Sequence, residues 1–169
     1  MRADPLTTIF ADLADAAGLS RPAGQCFGAI WRAAQTPCAD DLVAELRLSR
    51  SNVSTALKEL RGWGLIGIAR TPGDRKEYFT APDDPWEILR LVIAHRQRHA
   101  LAPLADRLAG MEPLAQDARV AALHDALSQV SEWMARLAAL DTAAFADVVA
   151  GKPVAPDKPK KKKKKKARS

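Results

Sequence analysis

The sequence predicts a mainly α-helical protein with one small β-hairpin. Apolar residues recur at intervals of three and four over most of its 169 residues, as on one face of a helix. Composition agrees, because 47% of the residues are hydrophobic but only 5% are aromatic, with Ala and Leu prominent. One β-rich stretch is interrupted by a Pro-Gly-Asp turn at residues 72–74, which is typical of a hairpin.

Two helices are predicted at the N-terminal end. Residues 5–17 place their aliphatic and aromatic side chains on one helical face, and Gly18 ends this helix. Ser20 followed by Pro22 is a start signal, since proline is tolerated in a first turn. The second helix is expected to continue to about residue 34.

A short helix and a longer one follow. Residues 39–46 form the short helix, with Asp40 and Asp41 in its first turn, where carboxylates interact favourably with the helix dipole. After a tight connection, Ser49 is the expected N-cap of a helix that runs to about Arg61.

The predicted hairpin comes directly after this pair of helices. Residues 65–70 and 77–80 are its strands. A long helix over about 85–108 is then expected, with Asp84 as N-cap and a kink at Pro103.

The last predicted helix spans about 113–140 and carries apolar residues at alternating intervals of three and four. This 3.5-residue repeat is typical of a helix packed lengthwise against another, either in a dimer seam or inside one bundle. The repeat consists of Val120, Leu123, Leu127, Val130, Met134 and Leu137.

Two short helices, a tight turn and a hairpin in this order predict a winged helix-turn-helix, in which the second helix enters the DNA major groove. The face of that helix left free by the apolar positions is polar and slim, and its side chains suit contacts to base edges and phosphates. The predicted DNA-binding residues on the helix are Ser49, Arg50, Ser51, Asn52, Ser54, Thr55 and Lys58.

The hairpin supplies a second predicted contact. Arg70, Arg75 and Lys76 place three cations on or beside its turn, with Asp74 and Glu77 as neighbouring acids. An arginine at such a tip suits the narrow, electronegative minor groove. We therefore include all three cations in the DNA-binding set.

The chain resembles the GbsR-like branch of the MarR-type transcriptional regulators over about residues 5–140. Four segments carry the resemblance: 18–24 (GLSRPAG), 48–60 (LSRSNVSTALKEL), 72–79 (PGDRKEYF) and 84–88 (DPWEI). The resemblance implies a homodimer joined through its terminal helices, binding double-stranded DNA at a near-palindromic operator. It also implies a response to small molecules of the choline type.

Two features depart from this family pattern. Arg47 occupies a turn position where the family often has glycine, and the lysine-rich C-terminal segment lies outside the pattern. Trp31 and Trp86 flank the expected junction with the dimer helices. Because aromatic faces bind quaternary ammonium groups, they are candidate effector-binding residues, with core packing as the alternative.

Other candidate sites are weaker. His95 and His99 have a spacing that suits a metal on one helical face, but no glutamate follows the first histidine and arginines crowd the pair. Cys38, near a helix N-terminus, suits a redox switch or a plain cap, while Cys26 is expected to pack in the core. We predict no enzyme, no catalytic residues, no cofactor and no metal.

Charge is concentrated at the C-terminus. Residues 152–169 hold ten of the 26 Lys and Arg side chains and one of the 20 acids, which leaves the remainder near −3. The predicted organisation is a DNA-binding domain over 1–83, a helical dimerisation region over 84–150 and a disordered tail over 151–169. We expect a cytoplasmic protein with no membrane segment; a nucleoid-type architectural protein that binds DNA through the tail is the alternative.

Overall fold

The computed structural model describes residues 5–70, 72–111 and 117–152, and it confirms the predicted mainly helical fold with one small hairpin. Within these residues, none of the helices combines the length and the hydrophobicity needed to cross a membrane. The elements in chain order are α1 (Pro5–Ala17), α2 (Arg21–Arg32), α3 (Ala39–Leu46), α4 (Arg50–Trp63), β1 (Gly67–Ala69), β2 (Tyr78–Thr80), α5 (Pro85–Arg96), α6 (Ala102–Ala109), α7 (Ala118–Ala138) and α8 (Thr142–Val149).

Helix starts follow the expected capping chemistry. The Ser20 hydroxyl accepts a hydrogen bond from the Ala23 amide, and the Ser49 hydroxyl accepts one from the Asn52 amide. The Asp84 carboxylate caps α5 in the same way. Each cap satisfies an amide that the helix itself leaves unpaired.

The main core lies among α1 to α4 and the hairpin. Ala23, Leu42 and Leu60 have no exposed side-chain surface, and Val53 has 1%. These residues come from α2, α3 and α4, which therefore pack against one another around a shared apolar centre. Ala44 of α3, by contrast, is exposed.

β1 and β2 form an antiparallel pair in which Ile68 lies opposite Phe79. The segment before α3 extends this small sheet, because the Phe79 amide donates to the Pro37 carbonyl at 2.9 Å. The first strand is shorter than predicted: Leu65 and Ile66 are buried in the core instead of pairing. The hairpin is thus held against the helices by two sets of contacts, the hydrogen bond to Pro37 and the burial of Leu65 and Ile66.

The long helix predicted over 85–108 is present as one helical run over 85–109, but its winding changes in the middle. α5 ends at Arg96, and a π-helical segment over Gln97–Leu101 leads directly into α6. Proline has no N–H to donate and its ring crowds the preceding turn, and the π-helical segment lies directly in front of Pro103. The widened turn in front of it is closed by the Ala102 amide, which donates to the Gln97 carbonyl.

The last predicted helix, 113–140, is present over most of its length and is followed by a further short helix. Residues 113–116 lie outside the described residues, and α7 begins at Ala118 with Asp117 as its N-cap. α7 ends at Ala138, and the sequence interpretation missed α8, whose N-cap is Asp141. α8 is held against α5, because the Thr142 hydroxyl donates to Glu87 at 2.8 Å and Phe145 is fully buried.

The apolar repeat of α7 is shared between two environments. Leu137 is buried, and Val120, Leu127 and Met134 are half-buried within the protomer. Leu123 and Val130 are exposed by 53% and 47%, and the neighbouring Trp133 is exposed by 53%. The apolar repeat is therefore not wholly available for contact with another chain. One side of it packs within the protomer, whereas its outer edge, with Leu123 and Val130, remains exposed to solvent.

Candidate nucleic-acid interface

α4 is anchored on its inner face and at one side. Val53, Ala56, Leu57 and Leu60 are buried in the core. At the side, Glu59 accepts two hydrogen bonds from Ser20 at the start of α2, one from the amide at 2.9 Å and one from the hydroxyl at 2.5 Å. These contacts fix the rotation of the helix and therefore decide which of its residues face outwards.

All the predicted DNA-binding residues of α4 are on its surface. The exposed set consists of Ser49, Arg50, Ser51, Asn52, Ser54, Thr55 and Lys58. At 100° per residue, Ser51, Thr55 and Lys58 lie opposite the buried face, whereas Arg50 and Ser54 lie towards the hairpin. Asn52 lies at the opposite side, near Glu59. The outermost strip of the helix therefore consists of Ser51, Thr55 and Lys58, with Arg50 and Ser54 on the hairpin side and Asn52 on the side of Glu59.

The Ser49 hydroxyl already forms hydrogen bonds within the protein. Its hydroxyl accepts from the Asn52 amide at 3.2 Å and lies 3.0 Å from the Ser51 hydroxyl. A hydroxyl has one donor and two acceptor sites, so these bonds leave little capacity for a nucleic acid.

The hairpin turn is ordered by one carboxylate. Asp74 accepts from the Tyr78 hydroxyl at 2.7 Å and from the Lys76 amide at 2.9 Å. The Tyr78 hydrogen bond, followed by the Lys76 amide, holds the pKa of Asp74 below its ordinary value. Gly73, with φ of 86°, supplies the left-handed turn conformation.

The three hairpin cations differ in their surroundings. Arg70 forms an ion pair with Glu77 at 3.1 Å, whereas Arg75 and Lys76 are exposed and pair with no carboxylate among the described residues. Arg75 and Lys76 therefore present their charge more freely than Arg70.

A groove of about 360 Å³ lies between α4 and the hairpin. Arg50, Lys58 and Arg61 from α4 line it together with Asp40 and Glu77. Arg61 was missed by the sequence interpretation, although its spacing of three from Lys58 and seven from Ser54 places it on the same face. Its exposed guanidinium adds a third cation to the groove, beside Arg50 and Lys58.

The interface also holds its own acids. Arg50 pairs with Asp40 of α3 at 3.0 Å, with both side chains more than half exposed. The pair is too exposed to add much stability, but it lowers the net positive charge beside the groove. Any polyanion bound here competes with this carboxylate for Arg50.

The end of α4 is connected to α5 by stacked rings. The Trp63 and His95 ring centroids are 3.8 Å apart, and those of His95 and His99 are 4.3 Å apart. The two histidines thus stack, and no group of three or more metal-ligating side chains occurs among the described residues. Burial, followed by the charges of His99, Arg98 and Arg96, lowers the pKa of His95.

The two candidate effector-binding tryptophans, Trp31 and Trp86, belong to different aromatic pairs. Trp31 packs against Phe10 with a centroid distance of 5.6 Å, and Trp86 meets Phe145 edge-on at 6.4 Å. No ring contact joins the two tryptophans in the described part of the chain. A shared effector site stays a prediction.

Both cysteines are buried and free. Burial raises the pKa of the Cys26 thiol to about 12, so this residue is a neutral packing group. Cys38 is the N-cap of α3, and its amide donates to Asp41 at 2.9 Å. The redox prediction for Cys38 is not tested by this arrangement.

Neither known family models nor curated proteins match this chain. Among solved structures, it is similar to the crystal structure of a transcriptional regulator, with a TM-score of 0.64 and 21% sequence identity. The match covers 79% of this chain and 92% of the regulator. The chain therefore shares the fold of that regulator along most of the regulator's length.

Proposed function

We propose that this chain is a sequence-specific transcriptional regulator that binds double-stranded DNA and is no enzyme. One observation carries the proposal: an exposed polar strip on α4 lies beside a hairpin whose tip presents Arg75 and Lys76. Short polar residues in such a strip suit base edges, and the flanking cations suit phosphates. The shared fold with a transcriptional regulator supports the same function.

Within this proposal, the chain is a member of the GbsR-like branch of the MarR-type regulators and acts in the cytoplasm. Residues 1–83 form the DNA-binding domain, 84–150 the dimerisation region and 151–169 an accessory tail. The sequence motifs quoted above support the family assignment.

The proposed homodimer is supported by surface composition. Large apolar side chains are exposed on α1, α5 and α7, among them Leu13 (60%), Leu89 (49%) and Leu123 (53%). Exposed apolar patches mark association sites in soluble proteins. A symmetric dimer places two copies of α4 on one face, which matches a near-palindromic operator.

A small-molecule effector completes the proposal. Trp86 is 39% exposed next to the buried Phe145, so one aromatic face is open to a cation such as a quaternary ammonium group. Trp31 is half-buried, and its packing on Phe10 favours a structural role.

Selection of duplexes from a random library by the purified full-length protein tests the function. We expect an enriched sequence with two half-sites related by a dyad, about one helical turn apart. Recovery of unenriched DNA would contradict the proposal and favour the architectural alternative, which the lysine run supports. Deleting residues 152–169 separates the two: a regulator keeps its operator preference, whereas a tail-driven binder loses its affinity.

A further inference from the structure

The turn between α3 and α4 contains a backbone anomaly at Arg47. This residue has φ of 53° and ψ of 32°, in the left-handed region. The other described residues with positive φ are all glycine: Gly18, Gly64, Gly73 and Gly151. A side chain with a Cβ is disfavoured in this conformation, so glycine at position 47 would fold at lower cost.

No interaction within the described chain accounts for the arginine. Its side chain is exposed and takes part in no ion pair or hydrogen bond with another described residue, whereas Arg50 and Arg70 both have carboxylate partners. Strain at an exposed residue without an internal partner points to an external one.

The position of Arg47 identifies the chemistry of that partner. Arg47 lies two residues before Ser49, the N-cap of α4. In helix-turn-helix proteins the N-terminal residues of the second helix contact base edges in the major groove. Phosphates line both edges of the groove, and a guanidinium binds them with paired hydrogen bonds. The helix N-terminus and Arg50 add positive potential at the same place.

We propose that Arg47 contacts a DNA phosphate at the edge of the groove entered by α4, and that this contact explains an arginine in a strained turn. The inference rests on the proposed function. It adds a residue outside the polar strip and the hairpin, and it assigns Arg47 to positioning and affinity, since phosphate contacts carry no direct base information.

The experiment compares three substitutions in the full-length protein: Arg47→Gly, Arg47→Asn and Arg47→Lys. Gly and Asn tolerate the left-handed conformation and remove the charge, whereas Lys keeps both charge and strain. Arg107→Gln is the matched control, because it removes an exposed arginine from α6, remote from α4. Thermal midpoints and affinities for the selected operator and a random duplex are measured at several salt concentrations.

We expect Arg47→Gly to raise Tm by roughly 2–4 °C and yet to bind both duplexes more weakly, by a similar factor. The slope of log affinity against log salt should flatten by about 0.9 for each phosphate that the variant no longer neutralises. Arg47→Asn should show the same flattening, while Arg47→Lys and Arg107→Gln keep the parental slope.

Three outcomes would overturn the inference. Higher Tm in Arg47→Gly with unchanged affinity and slope would mean that Arg47 does not touch DNA, and lower Tm would refute the strain. Equal flattening in Arg107→Gln would assign the effect to overall charge. If the parent binds no duplex at all, the proposed function fails together with this contact, a result distinct from the other three.

Discussion

The region from α1 to the hairpin buries its apolar residues more completely than the region from α5 to α8 does. The buried residues of the main core lie between Ala14 and Phe79, and α5 adds to it only partly buried side chains, namely Ile88, Leu91 and Val92. In contrast, α5 has no fully buried residue, α6 has Ala105, α7 has Ser131 and Leu137, and α8 has Phe145. The first region has a core of its own, whereas the second is a thin layer of helices.

This difference bears on the proposed homodimer. Thin layers of helix are stable when both apolar faces are covered, and α7 covers only one of its faces within the chain. Its buried contact is itself partly polar, because Gln97 of the π-helical segment donates to Ser131 at 3.1 Å. We infer that the second region gains stability from a second copy and that the first does not.

The largest expected effect comes from the outer edge of α7. Leu123→Lys introduces a charge into the proposed dimer surface, where an unpaired ammonium is strongly unfavourable. We expect a monomer in light scattering and the loss of much of the operator preference, which for specific regulators is about 4–10 kcal/mol. Gln129→Lys, on the exposed polar side of α7, is the control. A Leu123→Lys protein that stays dimeric would contradict the assignment of this surface.

The core of the first region gives the next largest effect. Leu42→Ala empties a site with no exposed surface and should reduce the free energy of unfolding by about 2–5 kcal/mol. Leu104→Ala, at a side chain exposed by 48%, should cost less than about 1 kcal/mol in dilute protein. Urea denaturation at low concentration measures both values. Equal reductions would show that the two regions do not differ in packing.

The difference between the two regions also explains which structural features could be predicted from the sequence. Capping signals at Ser20, Ser49 and Asp84 each act within four residues, so the helix starts were predicted correctly. The apolar spacing of α3 and α4 also identified the packed face, and the exposed strip followed from it. These features depend on local chemistry, which is fully present in the sequence.

The second region was predicted less well because its structure depends on distant contacts. α8 was missed: Asp141 is a good N-cap, but the helix is short and is held by Thr142 and Phe145 against α5. The periodic repeat of α7 could not show which flank packs inside the protomer. The stacking of Trp63 on His95 joins residues far apart in sequence, so the spacing of His95 and His99 alone could not predict it.

A more selective effect is expected at Asn52, which is exposed on α4 beside the outermost strip. Asn52→Ala removes an exposed amide that suits a bidentate contact with adenine, so discrimination at one base pair should fall by about 1–3 kcal/mol. Lys58→Ala is the comparison, because a phosphate contact affects all sequences alike. Competition binding with single-base operator variants measures the effect. Unchanged discrimination in Asn52→Ala would remove this residue from the base-reading set.

The smallest effect concerns the ring stack that joins the two regions. His95 has a pKa below its ordinary value, because burial disfavours the cation and because His99, Arg98 and Arg96 repel it; its Nδ1 is buried without a hydrogen-bond partner. The ring that stacks on His95, Trp63, is neutral, so it does not offset this repulsion as a carboxylate would. The unfolded chain therefore binds a proton at His95 more readily than the folded chain does.

Protonation of His95 therefore destabilises the folded protein. Stability from neutral His95 is fully present above the unfolded-state pKa of about 6.5 and is lost as pH falls through the lower folded-state value. We expect Tm to decrease between pH 7 and pH 5, and His95→Phe, which keeps a stacking ring but cannot be protonated, to reduce this decrease. His124→Gln controls for the loss of a histidine outside the stack. If His124→Gln flattens the pH profile as much as His95→Phe does, the stack is not the source of the pH dependence.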